Sequence, residues 1–200
     1  HEALSVVMET IRSEGVEDIV CLGDIVGYGP DPEKCIDLVE RNCQVVLCGN
    51  HDYALIYGAH DFNQAALDAI NYHRHRLIPR LDGSEADAAR MRRWQFLKGL
   101  SFRHVEGRSL FVHGSPRDPI HEYIMETDIR WGLERKLREI FELVDWLCFV
   151  GHTHRPCVMT QQLEFLSLED LDRVYRPEQG QKAIINVGSV GQPRDGDNRA

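Results

Sequence analysis

Between Glu2 and Glu14 the apolar residues Leu4, Val7, Met8 and Ile11 recur at helical spacing. Gly15 supplies a stop, so the pattern predicts an amphipathic helix over 2–14. The period then changes. DIVCLGD (18–24) is a short apolar run closed by Gly-Asp and predicts a buried strand. Asp31-Pro32-Glu33 combines an N-cap residue, a proline suited to the first helical position and an early acid, and predicts a helix to about Asn42. QVVLC (44–48) follows as a second strand. Helix, strand, helix, strand in this opening stretch favours an α/β architecture with parallel strands.

The middle of the chain is helical in pattern. Asp61-Phe62-Asn63-Gln64 resembles a capping box ahead of AALDAINYHRHRL, and Ser84 opens a further helix through Trp94. SLFVHGS (109–115) returns to strand. A helix with Leu133, Leu137, Ile140, Phe141 and Val144 in register leads to the strand WLCFVGHTH (146–154). From CVMTQQLEFL to KAIINVGSV the chain has the pattern of hairpin-like strands. No repeat, low-complexity segment or linker interrupts it, so a single domain over 1–200 with a sizeable core is expected.

Composition narrows the partners more than the fold. Acidic residues (32) outnumber basic ones (23) for a net charge of −9, which argues against nucleic acid. The same charge repels an anionic substrate, so a phosphate site here needs local positive charge such as bound metal. No apolar stretch is long enough to span a membrane. HEALSVVMETIRSEG lacks the basic region, apolar core and cleavage site of a signal peptide. A cytoplasmic protein without a membrane partner is expected. Cys21, Cys48 and Cys148 sit in strand-like runs and Cys35 in a helical one, the positions of small buried hydrophobes rather than disulfides. Cys43 and Cys48 with His51 lack the second half of a zinc-binding pattern.

The chemistry gathers where strands end. Four apolar runs close in Gly23-Asp24, Gly49-Asn50-His51-Asp52, His113-Gly114-Ser115 and Gly151-His152-Thr153-His154. Polar groups at the ends of core strands are costly unless something binds them, and open α/β sheets bind ligands at those ends. If the strands are neighbours, Asp24, Asn50, His113, His152 and His154 converge. Carboxylate, amide and imidazole together suit Mn²⁺, Fe or Zn²⁺ better than Ca²⁺ or Mg²⁺. On a regular strand His152 and His154 face one side; in a turn they reach two adjacent ions.

The series GD, GNHD, HGS, GHTH resembles the calcineurin-like metallophosphoesterase superfamily. GDIVGYGPDP, VHGSPRDP, GHTHRP and INVGSVGQPRDGD are similar to its bacterial and archaeal branch of phosphodiesterase, diadenosine-tetraphosphatase-like and protein-phosphatase-like proteins. The resemblance covers nearly the whole chain. It implies a layered α-β-β-α sandwich of two mixed sheets flanked by helices. It also places a strand ending in Asp-x-His just before His1, and further strands beyond Ala200. On that basis the stretch is expected to be truncated at both ends, lacking the first strand and the last strands.

The resemblance implies two divalent metal ions. Asp24 would bridge them; Asn50, His113 and His152 would complete one site, and His154 would serve the other. Water shared between two cations is acidified to hydroxide near neutral pH, and in-line attack on phosphorus then needs a proton for the leaving alkoxide. His51 adjoins a ligand without being one and is the candidate proton donor, with Asp52 to hold its tautomer or raise its pKa. Asn50, Tyr28, Arg117 and Arg194, with Pro30, are candidate substrate-edge residues, since arginine matches phosphate oxygens. Gly188-Ser189-Val190-Gly191 is expected to close over the site as a strand end.

The implied activity is hydrolysis of a small phosphorylated substrate: a phosphodiester, nucleotide or phosphomonoester. A degenerate relative acting as a protein-binding scaffold is the alternative, and a structural metal module a third reading. Intact His51 and Asp52 count against the scaffold, which requires neither, and the unassigned histidine counts against the module.

Overall fold

A computed structural model describes residues 1–197, and the chain divides into two compact units, His1–Ser101 and Phe102–Ala200. In the first unit α1 (Glu2–Ser13) buries Met8 and half-buries Leu4, Val7 and Ile11, the face its spacing predicts. Next come β1 (Val20–Cys21), α2 (Pro32–Asn42) and β2 (Val45–Val46), in which Val20 lies opposite Val45 and Cys21 opposite Val46 in parallel. This ladder is shorter than either apolar run because the flanking backbone finds other partners. The Gln44 side chain accepts from Ile19 N–H and donates to the Glu17 carbonyl, and Cys48 N–H donates to the Ser101 carbonyl. Asp31 occupies the N-cap position of α2, yet its carboxylate pairs with Lys34 at 2.9 Å rather than with the backbone.

Three helices complete this unit: α3 (Asn50–Tyr57), α4 (Gln64–Leu77) and α5 (Glu85–Lys98). Asn63 and Ser84 cap the last two, accepting the N–H groups of Ala66 and Asp87 at 3.0 and 3.1 Å. α5 runs a turn past Trp94 because Leu97 is buried there. The core joins Val26, Ile36, Ala54, Leu55, Ile70, Leu77 and Leu97.

The second unit opens with a hairpin of β3 (Arg103–Glu106) and β4 (Ser109–Val112), turned at Gly107 with φ 57°. The sequence reading missed β3, although a two-residue turn containing glycine between such runs is a hairpin signal. Then follow α6 (Thr127–Arg130), α7 (Glu134–Glu142), β5 (Leu147–Val150), β6 (Cys157–Thr160), β7 (Phe165–Leu166) and β8 (Ala183–Asn186). The strands form one mixed sheet in the order β3-β4-β5-β8-β6-β7. β4, β5 and β8 run parallel, and the other pairings are antiparallel. β6 and β7 form the expected hairpin, whereas β8 inserts between β5 and β6.

On one sheet face α7 lays Leu137, Ile140 and Phe141 against Leu110, Val112, Cys148, Val150, Met159 and Ile184. Burial pushes the Cys21 and Cys148 thiols up to about 12, so both stay protonated and pack as hydrophobes. Among the described residues no helix is long and apolar enough to cross a membrane. Helices with a mixed sheet give the α/β class that the sequence implies. The parallel pairs β1/β2 and β4/β5 bring carboxyl ends of strands side by side within each unit, and those ends carry the polar motifs.

Candidate functional site

In the first unit Gly23-Asp24 and Gly49-Asn50 follow the paired strands β1 and β2. Here the two turns meet backbone to backbone. A Cβ on Gly23 would collide with the main chain of Gly49, and one on Gly49 with the Asp24 carboxylate. Only glycine permits that approach. Reciprocal hydrogen bonds close it: His51 N–H donates to Asp24 Oδ1 at 2.9 Å, and Asp24 N–H donates to Asp52 Oδ2 at 2.7 Å. Asp52, fully buried, also accepts the N–H groups of Ile25, Val26 and Gly49.

This corrects one local expectation. Asn50, His51 and Asp52 form the first turn of α3 rather than the end of a strand. Gly49 is the N-cap, and Asp52 returns its carboxylate to the Gly49 N–H, where the orphan donors and dipole of a helix start favour an anion. A carboxylate offers about four lone-pair sites, and four backbone donors meet this one. The tautomer-setting task expected of Asp52 therefore competes with a clasp that ties it, through Asp24, to the His51 main chain. The His51 ring lies between 4.7 and 5.0 Å from the rings of Tyr28 and Phe62. Tyr28 is thus the substrate-edge candidate that this unit brings to His51.

In the second unit His113 follows β4, while His152 and His154 follow β5. Gly151 N–H donates to the His113 carbonyl at 3.0 Å, and His113 Nε2 lies 3.1 Å from His152 Nδ1, both rings buried. The far nitrogen of His152 faces the His121 carbonyl at 3.3 Å, and Nδ1 of His154 faces the Gln192 carbonyl at 2.7 Å. A nitrogen against a carbonyl is the protonated one, so in the neutral rings His152 Nδ1 and His154 Nε2 carry the lone pairs. That is how a metal-ligating imidazole is usually held, its second nitrogen donating to an outer partner. The 3.1 Å separation also suits two ligand atoms each roughly 2.0–2.1 Å from one cation. These residues fit a divalent metal.

Left-handed backbone occurs at three of the same positions, as it also does at Asp61, Leu81, Leu163, Asp172 and Arg173 among the described residues. Asp24, His152 and His154 have φ of 56°, 63° and 60°, a left-handed region that costs a non-glycine residue on the order of 1 kcal/mol. Such strain is retained where the surroundings enforce it, often at functional positions. His152 and His154 accordingly occupy a turn, not a regular strand.

Asn186, which sequence reasoning passed over, holds that turn. Its buried amide donates to the Gly151 carbonyl at 2.6 Å and to Thr153 Oγ1 at 2.9 Å, and its oxygen accepts Gly188 N–H. The only signal was a polar residue closing the apolar run of KAIIN. Tyr123, stacked 3.8 Å from the His152 ring, was also missed. Arg117 is engaged by Glu122 and Glu139. Arg194 is exposed and supports His154 through its own N–H, which donates to the His154 carbonyl at 3.0 Å. Pro30 is exposed, its carbonyl accepting from Arg76 at 2.9 Å.

The family model described as the calcineurin-like phosphoesterase superfamily domain matches residues 1–200. An uncharacterized protein of Methanocaldococcus jannaschii is 35% identical over 205 residues, spanning 100% of this chain and 75% of its own. The crystal structure of a metallophosphoesterase from Sphaerobacter thermophilus is similar with a TM-score of 0.68 and 36% identity, over 98% of this chain and 76% of that one. A hypothetical protein from Pyrococcus horikoshii, at a TM-score of 0.58 and 17% identity over 95% and 71% of the two chains, is alike in fold alone.

Proposed function

The chain belongs to the calcineurin-like phosphoesterase superfamily, and from that premise we propose that it hydrolyses a small phosphoester in the presence of two divalent metal ions. In this reading Asp24, Asn50, His113, His152 and His154 are the metal ligands and His51 protonates the leaving group. The observation that carries it is the state of His152 and His154: left-handed backbone at each, and one ring nitrogen of each against a main-chain carbonyl. Mn²⁺, Fe or Zn²⁺ suits the donor set.

When bound, the metal supplies positive charge at the phosphoryl oxygens and acidifies water. The remaining work falls to the chain. His51 delivers a proton to the departing alkoxide from a ring packed beside Tyr28, and the Asp24–Asp52 clasp fixes the helix start from which that ring projects. Arg194 is the favoured phosphate-facing arginine, because Arg117 is already neutralised by two carboxylates.

Chelated protein should lose hydrolysis of bis-aryl or mono-aryl phosphate and regain it with Mn²⁺, the preferred ester separating diesterase from monoesterase. His51→Ala should lower turnover of alkyl esters by about 10²–10⁴-fold with metal content near normal. Its defect should shrink for nitrophenyl esters, whose leaving group needs no proton. Hydrolysis indifferent to chelation would refute the metal role, and metal lost in proportion to activity would make His51 a ligand.

A further inference from the structure

α4 buries Ala66, Ile70, His73 and Leu77 along one face, and His73 is completely buried among these apolar neighbours. A buried imidazole on such a face needs partners. It has two, on either side of one turn. Gly27 N–H donates to His73 Nδ1 at 2.8 Å, and His73 Nε2 lies 2.8 Å from the Gly29 carbonyl. One ring therefore accepts at one edge and donates at the other, which only the neutral Nε2–H tautomer can do. Tyr72 and Arg76, on the same helix, reach the next carbonyl, that of Pro30, at 3.5 and 2.9 Å.

The turn gripped in this way is the one that packs on His51. Gly27 has φ 110°, and a Cβ there would overlap the His51 ring. The ring of Tyr28, between the two bonded residues, lies 4.7 Å from that of His51. A displacement of the turn thus moves a wall of the His51 pocket directly.

We propose that His73 is a positioning residue for His51, its two ring nitrogens locking the Gly27–Tyr28–Gly29 turn against the His51 imidazole. The proposal rests on the reading of His51 as proton donor to the leaving group. His73 touches neither substrate nor reacting atoms; it acts through the turn.

Three substitutions separate this role from general support of the fold. His73→Phe keeps bulk and loses both bonds, His73→Asn keeps an acceptor near the Nδ1 position, and His73→Gln keeps a donor near the Nε2 position. With an alkyl phosphoester, His73→Phe should reduce kcat by about 10²-fold, the scale of a misplaced catalytic group. Asn and Gln should fall between it and the natural residue. With a nitrophenyl ester the loss should be several-fold smaller, and metal content should not change. Where His51→Ala itself shows the leaving-group dependence, equal losses on both esters, or none on either, would overturn the proposal.

Imidazole ¹⁵N shifts in the unsubstituted protein provide a readout independent of activity and of whether the variants fold. They should report a fixed Nε2–H tautomer at His73, and a Nδ1–H tautomer or a mixture would also overturn it. If His51→Ala shows no leaving-group dependence, the proton-donor reading fails. The clamp is then judged on whether His73→Phe shifts the His51 ring resonances, which unchanged resonances would refute.

Discussion

The two units hold their polar turns by opposite means. In the first, the motif residues hold one another: Asp24 accepts from His51, Asp52 accepts from Asp24, and the anions gather backbone N–H groups. In the second, the motifs touch through Gly151 N–H and the His113 carbonyl, but residues outside them brace the GHTH turn, as Asn186, His121 and Gln192 present amides and carbonyls to it. The difference teaches where a motif can be trusted to contain its own support. GD with GNHD is self-sufficient on paper. GHTH is not, since the groups that brace it, on His121, Asn186 and Gln192, lie 31 to 38 residues away in sequence.

The sharpest way to break this contrast is Asp52→Asn. An amide keeps one accepting oxygen and turns an NH₂ group toward backbone donors, leaving buried N–H groups without acceptors at roughly 1–3 kcal/mol each. The expected cost is about 3 kcal/mol or more, read as a lower urea midpoint at unchanged slope. Both His51-dependent turnover and metal binding should fall with it, because one clasp positions both. A variant with near-normal stability but lost activity would instead return Asp52 to the tautomer-setting role.

Asn186→Ala is expected to be milder and to act elsewhere. It removes two donors and one acceptor from a turn whose backbone also has strand neighbours, so about 1–2 kcal/mol should be lost. Metal affinity should drop by about 10–100-fold, the usual cost of removing an outer partner. Titration with Mn²⁺ by calorimetry measures it. If affinity is unchanged while stability falls as far as in Asp52→Asn, then the two units are not held differently.

The same contrast explains what the sequence disclosed. Helical faces such as Leu4-Val7-Met8-Ile11, the cap at Ser84, and strands β4 and β5 follow from local period and turn chemistry, whereas the capping box read from Asp61 to Gln64 is displaced, the cap of α4 being Asn63. The four polar strand ends were legible as motifs. The start of α3 was not, because an apolar run before Gly49 outweighed a capping signal spread over four residues. Asn186 and His73 were hidden for a different reason. A polar residue on an apolar face announces that it has partners, but partners in distant loops cannot be read from spacing. Arg117 conspicuously follows HGSP, yet its guanidinium is committed to Glu122 and Glu139.

The smallest expected effect is a pH dependence that sharpens the role of His73 in the first unit. Burial lowers its pKa from the ordinary value of 6.5; its bond to the Gly29 carbonyl and nearby Glu33 pull the other way, and Arg76 adds to the lowering. The folded state therefore prefers the neutral ring. Below 6.5 the unfolded chain takes up a proton that the folded chain refuses until a lower pH, so the unfolded state binds more protons and stability rises with pH. Above 6.5 both states are neutral and the group contributes nothing further. On acidification the contribution is lost from 6.5 downward, until the folded form is protonated as well. One such group gives a slope of at most about 1.4 kcal/mol per pH unit. Urea unfolding of the natural protein and His73→Asn should thus converge as pH falls below 6.5 and remain parallel above it. Curves parallel throughout would mean that the imidazole titrates alike in both states, and that its bonds to Gly27 and Gly29 do not exclude the second proton.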